Sequence, residues 1–476
     1  MPNKPSQIIA SLESLLGTSN VISKVVDMAA FINEPRKRFF TPALAVVSPR
    51  DVAGVQKLLR WANEHKAALI PQGGNTGLVG AQVPLSGREI IVSLKHLNAV
   101  RSLDAADGHM VVEAGLTLLS AHEVAEKAGA LFPLTIASEG SATIGGVLST
   151  NAGGTQVLAY GNARALCLGV EAVMADGSLY NGLSALRKDN TGYDLRDLLI
   201  GAEGTLGIIT AATLKLFPRP QAFETAWINI ASPETALQLF QRLHEAAQTS
   251  LTAFELMPRF GVDIQLRHKM IERDPSASPS PWYVMAEISV PKGGKADVLT
   301  AVLETAFESG LIEDATLATS LADRQDMWNT REQMSESQSR EGASIKHDVS
   351  VPVSAVPELI ARGCAVAEKI IPGIRPCPFG HLGDGNMHFN FTQPMGADPK
   401  AYMESAGPLH EAIYEIVLDL GGAISAEHGI GQLKVELLEQ VKDPAALGAM
   451  VAIKQALDPN NILNPGKVLK DRNVSE

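Results

Sequence analysis

The chain has 476 residues, too many for one hydrophobic core, so at least two domains are expected. Hydrophobic residues make up 45% of it and charged residues 19%, a soluble globular composition in which no apolar run reaches the length of a membrane span. The 52 acidic and 40 basic residues leave a formal net charge of -12, which argues against nucleic acid as the main partner and demands a local basic site for any anionic substrate.

The opening stretch, Met1 to Ile22, carries Glu13 inside its apolar part and has neither the charged start of a signal peptide nor the arginines of a transit sequence. Cys167, Cys364 and Cys377 are few and far apart, which suggests buried thiols in a reducing compartment rather than a disulfide framework or a CxxC site. A bacterial cytoplasm is the expected location.

Ser48-Pro49-Arg50-Asp51 precedes a helical pattern through Val55, Leu58, Leu59 and Trp61, followed by the strand-like Ala67 to Ile70. Directly after comes Pro71-Gln72-Gly73-Gly74-Asn75-Thr76-Gly77-Leu78-Val79-Gly80. Its glycines leave backbone N–H groups able to face a phosphate, although a tight turn reads the same way. The spacing is neither GxGxxG nor the lysine-bearing phosphate loop, so a Rossmann fold or a P-loop nucleotidase gains no support.

Further glycine-dense segments follow at Ser138-Glu139-Gly140-Ser141-Ala142-Thr143-Ile144-Gly145-Gly146, Asn151 to Gly154 and Gly201 to Thr210. In this order they resemble the FAD-binding domain of the vanillyl-alcohol oxidase superfamily, the PCMH-type fold. The resemblance implies FAD contacts at Gly73, Gly74, Asn75, Thr76, Gly77, Gly80, Ser138, Gly145, Gly153 and Ile209. Some relatives tether the flavin through a histidine in the first loop. None stands between Pro71 and Ala81, so non-covalent FAD is expected.

Phe217-Pro218-Arg219-Pro220 marks a domain boundary. Beyond it, Trp328 to Ser335 reads as helix, which would set Arg331 and Ser335 one turn apart, fit to grip a carboxylate. Ser344 to Pro352 alternates like a strand, with Lys346 and Asp348 on one side and His347 on the other. Ordinary solvated charge would also account for Arg331 and Lys346.

Phe379-Gly380-His381-Leu382-Gly383-Asp384-Gly385-Asn386-Met387-His388-Phe389-Asn390 reads as a hairpin. A two-residue turn at Asp384-Gly385 would put His381 directly opposite His388, close enough to share a divalent metal. A hydrogen-bonded histidine pair beside a surface turn is the other reading. In Ser425-Ala426-Glu427-His428-Gly429-Ile430-Gly431, Glu427 would complete a two-histidine, one-carboxylate metal set, leaving His428 as a proton acceptor.

From about Thr41 to Lys467 the chain resembles the FAD-linked D-2-hydroxy acid dehydrogenases, above all those acting on D-2-hydroxyglutarate. The motifs that carry the likeness are the loop from Pro71 to Gly80, the hairpin, Ser425 to Gly431 and the closing Asn464-Pro465-Gly466-Lys467. It implies zinc or a similar metal on His381, His388 and Glu427, His428 as base and substrate contact, and a distal-carboxylate clamp of Arg331, Ser335 and Lys346. Asn390 is expected on the substrate carboxylate, with hydride passing to flavin N5. Serine at 335, where threonine is common, His347, where an aromatic residue often stands, and Ala81, where glycine is frequent, leave the substrate less defined than the reaction.

D-malate, D-lactate or glycolate oxidation and an alkylglycerone-phosphate-synthase-like transfer remain alternatives. The family suggests an electron-transfer flavoprotein or quinone as acceptor, and a homodimer. The expected class is α+β: an FAD domain over 1–219, a substrate domain with an antiparallel sheet over 220–425, and a segment over 426–476 that returns to the flavin.

Overall fold

The computed structural model describes residues 4–294 and 296–471, so the outermost residues of the first and last expected domains lie outside the described residues. The chain divides into two compact units, residues 1–154, 161–219 and 427–476 forming one and residues 155–160 and 220–426 the other.

In the first unit, helix Val52–His65 buries Val55, Leu58, Leu59, Trp61 and Ala62, one apolar stripe at helical spacing. Asp51 caps its start by accepting from Gly54 N at 2.7 Å. The helix feeds strand Leu69–Gln72, which pairs in parallel with Ile90–Ser93 in a four-stranded sheet also holding Ala45–Val47 and Val21–Ile22. All four residues of Ile90–Ser93 are buried, as a parallel strand covered on both faces must be. A five-stranded antiparallel sheet follows, in the order Val100–Asp104, His109–Glu113, Ile208–Lys215, Cys167–Val173, Leu179–Gly182.

The last segment of the chain closes on the glycine loop after Leu69–Gln72. Leu463 bridges Leu69, the Asn464 side chain donates to Ala81 O and Glu203 O, and the buried Lys467 ammonium donates to Gly80 O at 3.1 Å and Val83 O at 2.8 Å.

The second unit is built on seven strands: β1 Ala222–Ile230, β2 Leu251–Pro258, β3 Trp282–Val290, β4 Asp314–Leu317, β5 Ser344–Ser350, β6 Arg375–His381 and β7 Asn386–Thr392. They pair antiparallel in the order β4-β1-β3-β2-β6-β7-β5. Side chains alternate across this sheet. On one face Ile345, Val349, Phe389 and Phe391 pack under helices Pro233–Ala247, Val298–Glu308, Val356–Ile370 and Ala406–Asp419. Phe389 and Phe391 have no exposed surface, and burying each contributes roughly 1.5–3 kcal/mol. The opposite face carries Trp227, Met257, Cys377 and Phe379, against helices Arg259–Arg267, Leu321–Glu332 and Met334–Glu341. Lys346, His381 and His388 belong to this second face.

Candidate active site

The hairpin forms, but with a different turn. β6 and β7 pair Phe379 with His388 and His381 with Asn386, so His381 is not directly opposite His388. Four residues connect the strands instead of two: a 3-10 turn over Leu382–Asp384 and then Gly385 at φ 83°. The type I′ turn expected from Asp-Gly needs positive φ at both residues, and only Gly385 adopts it. Leu382 is fully buried in the core, which fixes the longer connection. A slip of two residues preserves side-chain parity, so the histidines still share a face, now as diagonal neighbours. Their ring centroids are 5.5 Å apart, and they offer ring nitrogens within 4.8 Å of each other.

Register then assembles the rest of the face. Lys346 pairs with Asn390 and Asp348 with His388, while Glu255 on β2 pairs with His381. His347 points the other way: its Nδ1 lies 2.9 Å from Phe389 O and its Nε2 2.8 Å from His410 Nδ1. Each metal-candidate histidine turns Nδ1 toward a buried carboxylate. His381 Nδ1 is 2.7 Å from Glu255 Oε1, and His388 Nδ1 is 4.0 Å from Asp348 Oδ1, which also accepts from Asn386 Nδ2. For His381, donation of Nδ1–H to Glu255 leaves the lone pair on Nε2, the arrangement a divalent cation needs, whereas 4.0 Å between His388 and Asp348 is too long for a direct hydrogen bond.

Arg331 and Ser335 do not sit on one continuous helix. Helix Leu321–Glu332 ends at Gln333, at φ -76° and ψ -4°, and a second helix, Met334–Glu341, follows it. Arg331 is 5% exposed. Its Nε donates to Glu255 Oε2 at 2.6 Å, its guanidinium lies 5.0 Å from the Phe379 ring centroid, and its Nη2 is buried with no protein acceptor among the described residues. Ser335 meets Lys346 instead: the ammonium donates to Ser335 O at 3.0 Å and Oγ at 2.9 Å.

Glu255 escaped the sequence reading, although a lone carboxylate inside the apolar strand Leu251–Pro258 was a usable sign. It is 1% exposed. Burial alone would push its carboxyl up, but His381 and Arg331 outweigh that and hold it down at about 2.

In the first unit, the glycine loop and the second glycine segment approach at backbone distance. A Cβ on Gly73 would lie 2.2 Å from Thr143 Oγ1, and one on Gly74 would lie 1.7 Å from Ser141 O. Asn75 takes a positive φ of 56° and donates to Ala30 O and Asn33 O. Among the described residues, no backbone N–H from Gly73 through Asn75, Thr76 and Gly77 to Val79 reaches a protein acceptor, so the loop presents a row of donors suited to an anion. Gly80 O is occupied by Lys467 and Gln432. Ser138 O closes the turn that carries Ser141 and Ala142, Gly145 N donates to Ala114 O, and Gly153 and Ile209 are buried. A pyrophosphate-bearing cofactor fits this cradle.

Glu427 and His428 are half-buried in the same unit, with ligand atoms within 4.8 Å of each other. Their loop is clasped by Glu203, which accepts from Ile430 N at 2.7 Å and Gly431 N at 2.8 Å. Burial pushes the Glu203 carboxyl up to about 7, against the pull of those two N–H groups and of Lys467. A separate cavity of about 450 Å³ in the second unit is lined by Glu272, Arg273, Asp323, Asp326 and Asn329, and none of the candidate site residues lines it.

The family model described as FAD linked oxidases, C-terminal domain, matches residues 219–468, and that described as FAD binding domain matches residues 43–182. A D-2-hydroxyglutarate dehydrogenase of Xanthomonas citri pv. viticola is 34% identical over 97% of this chain and 97% of its own length. The mitochondrial D-2-hydroxyglutarate dehydrogenase of Rattus norvegicus is 37% identical over 90% of this chain and 78% of its own. Of solved structures, p-cresol methylhydroxylase with substrate bound aligns with a TM-score of 0.79 at 18% identity, covering 99% of this chain and 98% of that one, a likeness of fold.

Proposed function

The chain belongs to the FAD-linked D-2-hydroxy acid dehydrogenases and has their PCMH-type α+β fold, and from that premise we propose that it oxidises D-2-hydroxyglutarate to the 2-oxo acid using a divalent metal alongside non-covalent FAD. Arg331 is the observation that carries the choice of a diacid. Its buried, unpartnered Nη2 calls for an anion, and it shares a face with His381, His388 and Asn390. Lys346 and Ser335 add a second cation and a hydroxyl to that face. A substrate with one carboxylate at the histidines and another at the arginine satisfies both ends, whereas an unpaired buried carboxylate would cost several kcal/mol. D-malate is one methylene shorter and is the second substrate to compare.

When bound, FAD supplies the two-electron acceptor and the cation a Lewis acid that eases loss of the hydroxyl proton. His381, His388 and Glu427 would hold that cation. The tether for Glu427 is short: Ala423 pairs with Ser350 at the end of β5, and four residues of chain span about 14 Å at most. His428 accepts the hydroxyl proton, Asn390 hydrogen-bonds the carboxylate beside the reacting carbon, and Arg331, Ser335 and Lys346 hold the far one. Gly73 to Gly80, with Ser138, Gly145, Gly153 and Ile209, hold the flavin. The electrons pass on to an electron-transfer flavoprotein or a quinone.

Replacing Lys346 with alanine tests the diacid assignment. The kcat/KM for D-2-hydroxyglutarate is expected to fall at least about tenfold, the worth of one charge-assisted hydrogen bond, with that for D-lactate unchanged. An equal loss on both substrates contradicts it.

A further inference from the structure

We propose that Glu255 is a positioning residue that ties the metal-side histidine to the clamp arginine, so that one buried carboxylate governs both metal affinity and selectivity for a diacid. The inference deepens the function proposed above and rests on it.

The geometry assigns one oxygen to each partner. Oε1 takes His381 Nδ1 and Oε2 takes Arg331 Nε. The carboxylate comes from β2, whose register sets it across from His381, while the arginine comes from the helix Leu321–Glu332 packed over the same face. A buried anion with both oxygens engaged holds its partners in fixed orientation, because swinging either away strands a charge out of water. For His381 this selects the tautomer with its lone pair on Nε2. For Arg331 it fixes the guanidinium plane over Phe379 and spends Nε on the protein, so the orphaned Nη2 is what remains for substrate.

The test uses the full-length holoenzyme and two variants. In Glu255→Ala, metal affinity measured by chelator competition without substrate is expected to fall about 10- to 100-fold, and the ratio of kcat/KM for D-2-hydroxyglutarate over D-lactate at least about tenfold. Glu255→Gln keeps an acceptor for His381 but turns an N–H toward Arg331. Its selectivity ratio should fall as far while its metal affinity falls less. It also carries the test if the alanine protein does not fold. A lowered melting temperature with unchanged metal affinity and selectivity would make Glu255 merely structural and overturn the inference. A wild-type protein that binds no metal and turns over no 2-hydroxy acid would instead bring down the functional reading beneath it.

Discussion

His388→Ala protein is expected to keep its flavin, lose its divalent metal and turn over D-2-hydroxyglutarate at least about 10³-fold more slowly, since a bound cation supplies several kcal/mol of charge stabilisation. His388 is the right probe because it is half-buried and carries less of the fold than His381, whose Nδ1 also anchors Glu255. Metal content by atomic emission and flavin content by absorbance separate the two losses. The same result is expected for Glu427→Ala, the carboxylate in the proposed ligand set. A metal-free His388→Ala enzyme with full activity would refute the metal's role.

The His428→Ala protein should behave differently: metal and flavin retained, kcat lowered about 10²- to 10⁴-fold, the range that a positioned general base provides and equal to roughly 3–5 kcal/mol. Its loop is held by Glu203 on Ile430 N and Gly431 N, and Gly429 and Gly431 take left-handed φ of 82° and 54° there. Those bonds to the backbone do not involve the ring, so removing it is expected to leave Glu427 in place. Loss of metal in this variant would make His428 a ligand, and wild-type turnover would remove it from proton transfer altogether.

Local chemistry made much of this site legible in the sequence. Alternation alone put Lys346 and Asp348 on one face and His347 on the other, because a strand has a period of two whatever it pairs with. The sharing of a face by His381 and His388 survived an error in the turn for the same reason, since any even slip in register preserves it. The turn itself was misread because the choice between two and four loop residues is made by the burial of Leu382, a tertiary contact. Helical propensity ran straight through Gln333, and the break that separates Arg331 from Ser335 has no proline or glycine to announce it. The partners of Glu255 and Glu203 were invisible for a further reason. Each glutamate acts on residues more than a hundred positions away, His381 for one and Ile430 for the other, and no single-sequence spacing reports a pairing of that range.

The most direct measurement is anaerobic bleaching of the flavin absorbance when the purified, metal-loaded protein is mixed with D-2-hydroxyglutarate, D-malate or D-lactate at matched concentrations. Bleaching by the diacids, fastest with D-2-hydroxyglutarate and slow or absent with D-lactate, is the predicted result. Equal rates with D-lactate would contradict the clamp built on Arg331 and Lys346, and a flavin that none of the three reduces would contradict the proposed oxidation itself.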